Sequence, residues 1–146
     1  MNHDGSGSSK IAVLLTLMTA LLGVQFVAGM YANSFYGSES GSILTVLAQS
    51  AHYPVLAFHI LLGAFTFIVS FYAFILGITA KLRHNLLILL GLNSICILTA
   101  GISGLLYLST KSALYTFSMA MLWLLAFGFI GFSQTMLRSS MSKAKS

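Results

Sequence analysis

Four histidines, one cysteine and two carboxylates are all that the chain offers for acid–base, metal or nucleophilic chemistry. Of these only His59 and Cys96 stand inside long apolar runs. An ionisable group in such a run is costly and normally faces a bundle interior or a water-filled cavity. His59, in the segment F-H-I-L-L-G at 58–63, can serve there in two ways. It can be an axial ligand of a b-type haem, because imidazole is a standard haem-iron ligand. It can instead hydrogen-bond an amide on a neighbouring helix, and Gln25 and Asn33 belong to a stripe with Gly29 that recurs every four residues at a similar depth. The hydrogen bond is the preferred reading. Gly63, one helical turn after His59, leaves space that a planar cofactor or another helix could use.

The haem alternative needs a second ligand. No other histidine lies within an apolar run, so Met30, Met119 or Met121, or a second His59 across a dimer, would have to supply it. Met119 and Met121 could also bind a soft metal, but neighbouring helix positions diverge, and core filling suits them better. His52 precedes His59 by seven residues. On a helix that is about 10 Å, too far for one ion held at about 2 Å from each nitrogen, so no metal site is expected. Asn93 completes a set of intramembrane polar residues with Gln25, Asn33 and His59, which read as packing amides or as the lining of a pathway. Cys96 reads as a buried apolar thiol. The chain contains no HExxH, P-loop, GxSxG or CxxC motif, and neither acid lies in an apolar run, so catalysis or primary pumping is not expected.

The elements that position these residues follow from charge. Between Ile11 and Leu137 only Glu39, Lys81, Arg83 and Lys111 are charged, and they separate four apolar blocks. Crossing a bilayer takes roughly 20 such residues, so 11–36, 54–80, 86–108 and 113–137 read as spans of an all-α, four-transmembrane-helix up-down bundle. Six of the seven basic residues fall in the N-terminus, the second loop and the C-terminal tail, with only Lys111 elsewhere. Basic short loops stay cytoplasmic, which predicts both termini inside. Residues 1–10 read as a flexible cytoplasmic tail and 138–146 as a basic one. Residues 41–52 read as an outer interfacial segment, with Pro54 opening the second span. A cleaved signal peptide is the competing reading of residues 1–30. Tyr31, Tyr36, Tyr53, Tyr107 and Tyr115 all fall at outer ends, as interfacial rings do. The net charge of +5 sits at span ends, which argues for membrane anchoring and against nucleic acid.

Small residues mark where helices in lipid can approach. Gly63, Ala73 and Gly77 do so in the second span, Ala100, Gly101 and Gly104 in the third, and Gly128 in the fourth. G-M-Y-A-N at 29–33, F-H-I-L-L-G at 58–63, A-G-I-S-G-L-L-Y at 100–107 and S-M-A-M at 118–121 resemble a family of small four-span prokaryotic membrane proteins with no assigned activity. That resemblance implies a four-helix bundle. A histidine at the start of the second span more distantly resembles haem A synthase halves and other b-haem four-helix units, although this chain lacks their later-span histidine and early acidic residue. The resulting expectation is a non-catalytic multi-pass protein of the cell membrane, an accessory or assembly subunit of a larger, plausibly respiratory complex or a homo-oligomer. The alternatives are a small cytochrome-like electron-transfer protein using His59, and a channel or carrier lined by Gln25, Asn33 and Asn93.

Overall fold

A computed structural model describes residues 5–35 and 52–143, with Ser42, Leu44, Thr45 and Ala48 between them. It is all-helical over the described residues: α1 (Gly5–Phe35), α2 (Pro54–Thr79), α3 (His84–Thr110) and α4 (Ala113–Lys143). Each helix is long and apolar enough to cross a membrane, so the chain is a multi-pass membrane protein. The helices follow the four apolar blocks but overrun them. α1 includes residues expected in the flexible N-terminal tail, and α4 includes most of the basic tail. Their Ser, Lys and Arg residues are compatible with a helix, so the backbone hydrogen-bond ladder continues past the hydrocarbon limit. Pro54 occupies the first turn of α2, where its missing N–H is no loss. Of the expected interfacial segment, Leu44, Thr45 and Ala48 are helical, and Ser42 Oγ accepts from the Thr45 N–H at 3.2 Å. Apart from His52, the rest of that segment, and Tyr36, lie outside the described residues.

Each helix packs on its neighbours in sequence, and α1 also packs on α4, while neither diagonal pair does. The α2–α3 connection closes through Lys81, held at φ 50°. The Lys81 N–H donates to the Ile78 carbonyl at 3.0 Å, and the Leu82 N–H to the Gly77 carbonyl at 3.1 Å. This left-handed cap satisfies carbonyls that a helix end otherwise leaves open. Lys111 ends α3 in the same left-handed region, φ 55° and ψ 21°, with its N–H on the Tyr107 carbonyl at 2.7 Å. The one basic residue off the expected cytoplasmic side is therefore a helix cap.

The two halves of the bundle differ in filling. Toward the chain termini the interior is filled by large side chains, among them Ile11, Leu15, Met18, Leu86, Leu90, Ile130 and Leu137. Ala73 is wholly buried among them. Polar bonds cross the helix seams in this half. Ser70 Oγ receives the Asn93 amide at 2.8 Å and lies 2.8 Å from Ser94 Oγ. Gln134 Nε2 donates to Thr19 Oγ1 at 3.0 Å, and Trp123 Nε1 to the Leu22 carbonyl at 3.0 Å. Most Ser and Thr hydroxyls elsewhere donate to a carbonyl one turn back, such as Thr66 to Leu62 and Thr99 to Ile95. That bond removes the cost of carrying a hydroxyl into lipid.

Toward the other end, where α1 stops and α3 meets α4, small residues dominate the interior faces. Gly104 lies against Met119, whose sulfur would be 3.3 Å from an added Cβ. Ala100 borders open space, and a Cβ on Gly101 beside it would meet nothing within 4 Å, so that position does not close a helix contact as expected. The same holds at Gly128, which is exposed on α4. A small residue permits close approach only if a neighbouring helix lies opposite, and at Gly101 and Gly128 nothing does within reach.

Candidate functional site: an apolar chamber with a polar corner

The chamber occupies this small-residue half. It has a volume of about 490 Å³ and is bordered by all four helices, from Leu22 to Asn33, Leu56 to Phe67, Ile97 to Leu108 and Thr116 to Ala126. It lies between two helix pairs. α1 and α2 are held together along it by Gly29, Gln25, His59 and Gly63, and α3 and α4 by Gly104 and Met119. Below it the pairs are joined by the seams of Ser70 with Asn93 and of Leu22 with Trp123.

Among the described residues no Asp, Glu, Lys or Arg borders the chamber. Its walls are aliphatic and aromatic, with Phe26, Phe67, Tyr107 and Trp123 among them. Phe26 and Trp123 stack with centroids 4.6 Å apart, and Trp123 stacks in turn on Phe127 at 5.4 Å. The indole N–H is committed to the Leu22 carbonyl, which fixes the ring as part of the chamber floor.

The polar corner is the Gln25–His59 pair. Gln25 Nε2 donates to the His59 backbone carbonyl at 3.1 Å and lies 3.4 Å from His59 Nε2. An amide nitrogen only donates, so His59 Nε2 accepts and the ring proton belongs on Nδ1. His59 Nδ1 and Gln25 Oε1 are both buried without a hydrogen-bond partner among the described residues. The corner therefore has one unmet donor and one unmet acceptor, each costing about 1–3 kcal/mol. Two glycines make the pair possible. A Cβ on Gly29 would lie 2.8 Å from His59 Cε1, and one on Gly63 would lie 3.0 Å from Gln25 Nε2. The space beside Gly63 is thus filled by the Gln25 amide and is not a slot for a cofactor.

The expected polar set divides in two. Gln25 and His59 are bonded, and Asn33, exposed on α1, borders the same chamber. Asn93 is 1% exposed and bonded to Ser70, on the other side of the Thr66 level, and does not border the chamber. The three amides therefore do not line one path. Asn93 Oδ1 is a third buried polar atom without a partner among the described residues. His52 is exposed in the turn before α2, and Cys96 is buried and free. Among the described residues no three His, Cys, Asp or Glu side chains converge.

Haem does not fit these residues. The His59 ring is packed edge-on against Gly29, its Nε2 faces the Gln25 amide and its Nδ1 is buried, so neither nitrogen is presented to an iron. Among the described residues no basic side chain borders the chamber to pair with propionates. Met119 does border it, but its sulfur packs toward Gly104. Met30 also borders the chamber, although exposed on α1, and Met121 is exposed on α4.

Trp123, Ser70 and Gln134 make cross-helix hydrogen bonds that the sequence alone does not assign, since a polar group in a span can also be satisfied on its own helix. No family model, curated protein or solved structure matches the chain, so the geometry alone carries the functional argument.

Proposed function

We propose that this chain is a four-span protein of the cell membrane, with both termini cytoplasmic, acting as a non-catalytic subunit of a larger membrane complex and housing a small apolar molecule in its chamber. The chamber carries this reading. Exposed Phe26, Met30, Leu98 and Ile102 stand on its rim, so an apolar molecule can enter from the membrane and gain by burial against its walls. Its described walls carry no Asp, Glu, Lys or Arg, and its one titratable ring, His59, is engaged with Gln25, which favours housing over turnover. Separation of Asn93 from Gln25 and Asn33 argues against a polar pathway. The outward face of α4 supports a partner: Gly128 and Gly131 lie three residues apart with open space before them, beside exposed Leu124, Phe127 and Phe132. Another helix can approach such a face closely.

Two experiments test the proposal. In mild detergent extracts of its own membranes the chain should migrate on native gels well above the mass of one chain. Migration as a monomer throughout would overturn the subunit reading. For orientation, single cysteines at Ser40 and Ser142 should differ toward an impermeant thiol reagent, with only position 40 labelled in intact cells. Cys96 is buried and adds no background. The opposite labelling would invert the topology.

A further inference from the structure

We infer that the chamber holds one acyl chain of an anionic phospholipid from the leaflet on its own side, with the headgroup outside beside Lys111. This inference rests on the chamber reading above and names the class of its occupant. Depth is the first observation. On each helix the lining starts at or beside the middle of the membrane-crossing segment, at Leu22, Phe67, Ile97 and Ala126, and stops within three residues of its end. The chamber therefore runs about 16 Å along the helices, the depth of one leaflet in a hydrocarbon core of about 30 Å. It begins at headgroup level and ends at the middle of the bilayer, as the chain of a leaflet lipid does. A compact ring compound would leave much of that length empty. The wall is the second observation. Among the described residues no Asp, Glu, Lys or Arg borders it, and Gln25 and His59 are turned on each other, with their unpartnered atoms buried. Such a wall offers a polar ligand no partner, and a methylene chain needs none. Through the exposed apolar rim the chamber is continuous with lipid, so a chain can slide in without leaving hydrocarbon. Filling the space gives the wall atoms the dispersion contacts that a gap denies them. Charge at the mouth is the third observation. Tyr107 borders the chamber, and the Lys111 ammonium stands 5.6 Å from its ring centroid. Lys111 caps α3 one turn further out and is the single Lys or Arg between Arg83 and Arg138. A basic side chain at headgroup level attracts anionic lipid.

The chain has a single tryptophan, and it stands on the chamber floor, so its fluorescence reports a chain that reaches that depth. The experiment reconstitutes the full-length protein in phosphatidylcholine bilayers and replaces the host lipid stepwise by lipid with bromine on its chains, which quenches indole on close contact. Brominated phosphatidylglycerol is compared with brominated phosphatidylcholine. In the wild type both should quench Trp123 strongly at full replacement. The anionic lipid should reach half of that effect at an about fivefold lower ratio to host lipid, the preference that one lysine at the surface supplies. Lys111→Asn should abolish the preference and keep the maximum, since asparagine tolerates the left-handed cap. Ala100→Phe, which fills the chamber with apolar atoms, should lose most of the maximum with either lipid. Circular dichroism confirms that each variant is folded, and the headgroup comparison stands even if Ala100→Phe does not fold. Quenching that is lost in Ala100→Phe but shows no preference between the headgroups overturns the phospholipid assignment and leaves the chamber as a site for apolar molecules. A maximum unchanged in folded Ala100→Phe overturns the chamber reading itself.

Discussion

Replacing Gly29 by alanine is expected to lower stability by about 1–3 kcal/mol, the usual range for overpacking a fitted interior. One methyl group has this effect because of where it would go. The new Cβ would stand 2.8 Å from His59 Cε1 and 3.4 Å from Nδ1, and a carbon pair needs roughly 3.5–4.0 Å. The far side of the imidazole offers no easy retreat, because Gln25 Nε2 lies 3.4 Å from its Nε2 and also holds the His59 carbonyl. Either the ring leaves the amide or α1 and α2 move apart. Thermal unfolding in detergent, followed by circular dichroism, measures the loss. Gly23→Ala is the matched control on the same helix, since its Cβ would meet nothing within 4 Å and alanine favours the helix. Equal midpoints for the two variants would mean that the imidazole does not rest on Gly29.

The second large effect is expected at the opposite end of the bundle. Gly77→Leu should cost about 2–3 kcal/mol, because an added Cβ already meets Leu87 at 3.0 Å, Leu90 at 3.1 Å and Leu82 at 3.4 Å. Leu90 is itself 1% exposed and cannot yield without disturbing the Ser70–Asn93 seam one turn away. Gly101→Leu, made in the small-residue half, should cost far less, as its Cβ faces open space. The same unfolding measurement ranks the two. A larger loss at Gly101 than at Gly77 would reverse the assignment of packed and open halves.

That contrast also shows what the sequence could and could not reveal. Charge spacing alone places four membrane-crossing helices, because four isolated charges cannot be reconciled with any other partition of so apolar a chain. Pro54 marks the start of α2, and depth in the membrane leaves Gln25 or Asn33 as partner of His59, of which the structure bonds Gln25. The chamber was not legible. Gly77 and Gly101 look alike in sequence, yet one faces three leucines and the other faces open space. What a small residue does depends on what stands across from it, and that is a tertiary fact. Asn93 was legible as an amide needing a partner, but Ser70 as that partner was not, since serine in a span usually satisfies itself on its own helix. Haem was suggested by residue type, and the packing of the imidazole edge against Gly29 removes the geometry that ligation needs.

The two walls of the chamber are held in different ways. α3 and α4 are joined through Lys111 and Ser112 alone, so their adjoining ends cannot drift apart. Between α1 and α2 the clasp is chemical, the Gln25 amide over the His59 carbonyl, set on the two glycines that let it close. A single methyl group on either glycine would therefore prise at one wall and leave the other as tightly tied as before.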